Sequence, residues 1–99
     1  MIRHIVMFTL TATDPAQRTA DVAAIRDSLT PLVGQVDGLH SVIVEPDLGL
    51  IENHWDCVLI SEHDDNTALE RYQAHPGHKD AVGFINTVVT GRATVDYEY

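Results

Sequence analysis

The segment Arg3-His4-Ile5-Val6-Met7-Phe8-Thr9-Leu10 has no wet side. Its Ile, Val, Met and Phe content, with few helix signals, predicts a strand. Alternate strand residues point to opposite faces, so His4, Val6, Phe8 and Leu10 share one face and Arg3, Ile5, Met7 and Thr9 the other. Both sets are largely apolar, which requires a cover on each side. A strand predicted over Trp55 to Ser61 poses the same demand: Trp55, Cys57 and Leu59 point one way, Val58 and Ile60 the other. A chain of 99 residues makes one domain, residues 1–99, with few elements to meet that demand.

The rest of the chain supplies those elements. Asp14-Pro15 pairs an N-cap with a proline at the first helical position. Val22, Ile25, Leu29 and Leu32 follow at spacings of three and four, while Arg18, Asp21, Arg26 and Asp27 fall mostly outside the stripe as solvated positions. Pro31 ends or kinks that helix near Thr30. Leu39 to Val44 reads as a strand, and Gly49 to Asn53 as a turn. Asp64-Asp65-Asn66 caps a second helix with an apolar stripe of Ala68, Leu69 and Tyr72. Pro76 disfavours helix at His75, so the helix stops or bends there. A further helical pattern, Val82, Ile85 and Val89, runs to Gly91. A last strand then alternates Ala93, Val95, Tyr97 and Tyr99 with Arg92, Thr94, Asp96 and Glu98. The order is the split βαβ pattern of a ferredoxin-like α+β domain, βαββαβ. Its helices dry one sheet face only. The simplest cover for the second face is the same face of a second copy, which predicts a homodimer whose paired sheets enclose a cavity.

Composition narrows the partners. Fifteen acids against six bases give a net charge of -9, which repels nucleic-acid backbones and anionic membranes, and no Lys/Arg cluster offsets it locally. No apolar run approaches the ~18 residues of a membrane helix, and the first residues show no cleavage pattern of a signal peptide. The single cysteine, Cys57, forms no intrachain disulfide and reads as a buried small hydrophobe, which fits a reducing cytoplasm.

The motif Tyr72-Gln73-Ala74-His75-Pro76-Gly77-His78 and the closing Val95-Asp96-Tyr97, with Arg3-His4-Ile5-Val6 at the start, resemble the stress-responsive A/B barrel (Dabb) family over almost the whole chain. The resemblance implies a dimeric α+β barrel of two ferredoxin-like protomers, sheets inward and helices outside. Many members have no assigned activity; the best-known enzyme of this type, olivetolic acid cyclase, closes a linear polyketide by an intramolecular aldol condensation, with no metal or organic cofactor. Its catalytic tyrosine and histidine match Tyr72 and His78, and a cavity-lining strand histidine matches His4. The residues that shape the polyketide pocket find no match here.

The residues support this chemistry on their own terms. If Pro76 opens the later helix, His78 lies in its first turn, where free backbone N–H groups and burial disfavour an imidazolium. A neutral imidazole can remove a proton α to a carbonyl, and the Tyr72 phenol can steady the enolate oxygen. That makes a cofactor-free cyclase, lyase or isomerase acting on a small apolar carbonyl compound. A non-catalytic stress-related dimer or small-ligand binder is the alternative, with a cofactor-free monooxygenase of the dimeric barrel type behind it by fold analogy. The bland counterparts are Tyr72 as core, His78 and His4 as hydrogen-bonded structural groups, and His75 capping the second helix through its ring. His75 and His78 straddle a proline bend with no acid at fixed spacing, so no metal site is read. His40, His54 and His63 receive no role.

Overall fold

All 99 residues are described by the structure, a computed structural model. The elements are β1 (Ile2–Leu10), α1 (Pro15–Leu29), β2 (Leu39–Pro46), β3 (Cys57–His63), α2 (Asn66–Ala74), α3 (Pro76–Ile85) and β4 (Val89–Glu98). The strands form one antiparallel sheet in the order β2-β3-β1-β4. This is the ferredoxin-like α+β fold expected from the element order.

Local chemistry sets the helix ends. The Asp14 carboxylate accepts from the Gln17 amide at 2.9 Å, and Asp65 does the same for Ala68 at 2.8 Å, each cap contributing about 1 kcal/mol. Pro31 sits in a short 3-10 turn, Thr30–Leu32, that closes α1. Polar groups on α1 are less solvated than expected. Asp21 is buried and accepts from Gln17 Nε2, while Arg18 pairs with Asp56 and Arg26 donates twice to the Val44 carbonyl. These contacts tie the helix to the strand ends beneath it.

Two boundaries differ from expectation. β3 starts at Cys57, not Trp55, because Asp56 turns its carboxylate onto the Leu10 amide at 2.7 Å and its own amide onto the Phe8 carbonyl. The strand gains two residues at its other end, where His63 pairs with Ile2 and Leu39. α3 ends at Ile85, and Val89 already belongs to β4. The run Thr87-Val88-Val89-Thr90 is β-branched throughout and favours extended backbone over helix.

Register divides the sheet into two unlike faces. Under the helices lie Ile2, His4, Val6, Phe8 and Leu10 of β1, beside Cys57, Leu59, Ser61 and His63 of β3. Val6, Phe8, Leu59, Val44 and Cys57 join Ile25, Leu29 and Tyr72 in one buried core. The other face has no helix. Across it, Ile43, Ile60, Ile5 and Val95 line up in a single row spanning all four strands. Ile43 and Val95 are 45% and 61% exposed, an apolar band where a lone sheet would meet water.

The α2–α3 junction is tight. His75 ends α2, Pro76 starts α3, and a Cβ on Gly77 would lie 2.6 Å from Leu32 Cδ2 and 3.1 Å from His75 Nδ1. We predict that Gly77→Ala lowers stability by about 1–3 kcal/mol through overpacking. Urea unfolding measures it, and an unchanged midpoint would show that the junction has slack.

Candidate functional site

The site grows out of that junction. His75 N donates to the Tyr72 carbonyl and closes α2, while the His75 Nδ1 accepts from the Gly77 amide at 3.0 Å. The ring therefore caps the start of α3, not the end of α2 as expected. A bare imidazole nitrogen accepts, and helix starts present N–H donors. The cap also fixes the tautomer, with the proton on Nε2. His78 falls in the first turn of α3, as Pro76 requires. The break at His75 leaves the Tyr72 and His78 rings 4.4 Å apart, centroid to centroid.

Two strand histidines approach the pair from below. The Tyr72 ring is 5.0 Å from His63 and 6.5 Å from His4, and His4 is 6.4 Å from His63. Sequence reasoning singled out three members of this cluster, His4, Tyr72 and His78, and missed His63. The strand boundary explains the miss: with β3 ended at Ser61, His63 fell outside the strand. Continued alternation Cys57, Leu59, Ser61, His63 places it on the covered face. His40 and His54 stay apart at the surface, paired with Asp64 and Asp47.

Each ring has its own electrostatic setting. His4 is buried, and its Nδ1–H donates to Asp96 Oδ1 at 2.5 Å, a pairing set by the His4–Asp96 register of β1 and β4. Burial lowers the His78 pKa below the usual 6.5, opposed by the Gln73 carbonyl and assisted by His4 and His75. Burial likewise raises the Tyr72 phenol far above its ordinary range, so it stays protonated as a donor. The Tyr72 hydroxyl is sealed from solvent and has no hydrogen-bond partner, and neither has Nδ1 of His63. Two orphaned polar atoms side by side in a core cost about 1–3 kcal/mol each, a cost that function commonly explains. Nε2 of His63 bonds Ser61 Oγ at 2.8 Å.

A cavity of about 180 Å³ opens beside the cluster. It lies between α3 and the β1–β4 side of the sheet. Its polar wall is His4, His78, Gln73, Arg92 and Thr94, and its apolar wall includes Val6, Phe8, Leu59, Val82 and Ile85. His4 and His78 reach it, whereas Tyr72 backs onto His78 from behind. Two larger hollows, about 470 and 700 Å³, flank the 46–56 loop and hold neither His78 nor Tyr72. No group of three His, Cys, Asp or Glu side chains converges as a metal site. Cys57 is buried, and its thiol is pushed up to about 11, chiefly by burial.

The buried His63 carries a pH signature. Burial first, and then repulsion from His4, lowers its pKa from 6.5 to about 4. Below pH 6.5 the unfolded chain binds a proton that the folded site refuses. Stability from this group is thus complete above pH 6.5 and falls away toward pH 4, by on the order of 3 kcal/mol. Urea midpoints at pH 7 and pH 4 should show a smaller drop in His63→Leu than in the native chain. Equal drops would remove His63 from the account.

The comparisons with known proteins agree with this architecture. A dimeric ferredoxin-like protein of unknown function from Bacteroides fragilis has 24% identity and a TM-score of 0.85, over 99% of this chain and 95% of that one. A dimeric ferredoxin-like protein of unknown function from Thermobifida fusca has 24% identity and a TM-score of 0.82, over 99% and 90%. A putative antibiotic biosynthesis monooxygenase from Deinococcus radiodurans has 24% identity and a TM-score of 0.70, over 99% and 90%. At such identities the likeness is one of fold. None of the curated proteins matches the sequence. The family model described as Stress responsive A/B Barrel Domain matches residues 2–99, which is nearly every residue. The chain belongs to the stress-responsive A/B barrel domain family.

Proposed function

We propose that the cavity under α3 is the site of cofactor-free enolate chemistry on a carbonyl compound, of the cyclase, lyase or isomerase kind. The supporting observation is the pairing of a half-buried His78 on the cavity wall, its pKa lowered by burial, with the protonated Tyr72 4.4 Å behind it. The His78 imidazole takes the proton from the carbon α to the carbonyl. The C–H electron pair forms the enolate C=C bond and displaces the carbonyl π pair onto oxygen, and the Tyr72 hydroxyl donates to that oxygen once a small shift of the ring opens it to the cavity. In an aldol closure the enolate carbon then bonds to a second carbonyl carbon, and the new alkoxide recovers the proton from the imidazolium. His4, oriented by Asp96, is the second basic group within reach and assists the proton transfer.

A binder is the second reading, favoured by one observation: the Tyr72 hydroxyl does not face the cavity in this conformation. The two readings part on turnover. Incubation with cyclohexanone in D₂O, followed by NMR, reads proton abstraction directly. The enzyme reading predicts exchange above the buffer rate, falling about 100-fold or more in His78→Ala and about 100-fold in Tyr72→Phe. Exchange also declines as pH drops through the lowered pKa of His78, where the base becomes protonated. Tyr72→Phe should keep or raise the melting temperature, since it deletes a buried hydroxyl that has no partner. Native protein no faster than buffer, or no slower after His78→Ala, would leave only the binder.

We propose also that the protein is a homodimer in the cytoplasm. The Ile43–Ile60–Ile5–Val95 row is the surface that a second copy would cover, and the fold neighbours from B. fragilis and T. fusca are themselves described as dimeric. Light scattering should report twice the 10.9 kDa chain mass at micromolar concentration, and Ile60→Asp should return it to the single value. A native particle of 10.9 kDa would overturn the assembly.

A further inference from the structure

The cavity is chemically polarised from end to end, and its two ends ask for different parts of one ligand. α3 runs along it. His78, in the first turn, stands with His4 and Asp96 at one end. Asn86, just past the last turn, stands with Arg92 and Phe8 at the other. The register of β1 and β4 gives the spacing: His4 faces Asp96, Val6 faces Thr94, and Phe8 faces Arg92. Arg92 and Asp96 are four strand residues apart, about 13 Å along β4, so Asp96 does not neutralise Arg92. Asp96 is already engaged by His4.

Arg92 is the one fixed charge on the cavity wall, and none of the chain's carboxylates forms an ion pair with it. That is unusual in a protein with 15 acidic residues. The guanidinium is nevertheless held in place: Nη2 donates to Asn86 Oδ1, and Cζ sits 5.7 Å over the Phe8 ring. A positioned guanidinium with donors to spare, facing a small cavity, matches a planar carboxylate. Size limits the rest of the ligand. A cavity of ~150 Å³ takes one benzene, so about 180 Å³ takes a single ring or its open-chain equivalent, with little room for an extended tail.

Resting on the proposal that this cavity is the working site, we infer that its ligand is a small oxo acid: a carboxylate held by Arg92 at one end and an enolisable carbonyl presented to His78 and His4 at the other. Arg92 is then the residue that selects charged acids over neutral ketones. Val6, Thr94 and Val82 shape the middle, and the length from Arg92 to His4 sets where the carbonyl falls. This narrows the expected apolar carbonyl compound to an anionic one, and a polyketide chain to a ring-sized molecule.

Binding separates this inference from the catalytic one, because it needs no turnover. Benzoate and benzamide share ring and size and differ in charge. Titration calorimetry on the native dimeric protein should show benzoate binding about tenfold or more tightly than benzamide, with affinity falling as salt rises. Arg92→Gln should abolish that preference. Arg92→Lys, which keeps the charge without the planar fork, should retain a reduced preference. Arg92 is exposed, so both variants should fold, and their melting temperatures check this. Equal affinities in the native protein, a benzoate preference that survives Arg92→Gln, or no binding of either probe would each overturn the assignment. Loss of ketone exchange in His78→Ala with an intact benzoate preference would leave it standing.

Discussion

One backbone restriction organises the site: proline cannot follow a helical residue without penalty. At His75–Pro76 it cuts what would be one long helix into α2 and α3, with His75 extended at φ -65°, ψ 136° between them. In a continuous helix, Tyr72 and His78 would stand six residues apart, well away from a shared face. The cut redirects the second segment, brings their rings to 4.4 Å and places His78 at a helix start. His75 completes the turn by capping it, and Gly77 leaves room for Leu32. Burial does the rest, lowering the His78 pKa and raising that of Tyr72.

The sheet beneath divides its work between two faces. Even-numbered positions of β1 turn inward, and they grade from His4 at one end through Val6 to Phe8 and Leu10 at the other. Odd-numbered positions turn outward and carry Ile5 and Met7 into the apolar band. The same strand thus supplies His4 to the covered side and an apolar surface to the open side. The rim of that open side is polar. Arg3 donates to Tyr97 and pairs with Glu62, and its guanidinium lies 4.1 Å from the Tyr99 ring centre. An apolar centre with a cation–aromatic margin has the layout of a protein interface.

Legibility in the sequence follows the range of the interactions. Caps, breaks and apolar periods act over a few residues, so Asp14, Pro31, Asp65 and Pro76 announce their elements, and the ferredoxin-like order follows. Alternation in the first strand is enough by itself to show that both sheet faces need a cover. Misreadings arise where a distant partner decides. Asp56 leaves β3 because its groups bond Leu10 and Phe8, nearly fifty residues earlier. Val89 joins β4 because β1 offers it a partner in Leu10. His63 and Arg92 enter the site only through strand extension and strand pairing. The Asp96 contact to His4 spans 92 residues and depends on register alone. The local motif identifies Tyr72 and His78, while the far wall of the cavity exists only once the sheet has closed.

We propose that His78 is neutral at working pH because the proline break sets it at a helix start and its surroundings partly remove it from water. Nitrogen NMR of the histidine side chains across pH 4 to 8 measures that directly. His78 should take up its proton below the ordinary 6.5 and be uncharged at pH 7. A His78 signal that titrates at or above 6.5 would contradict it.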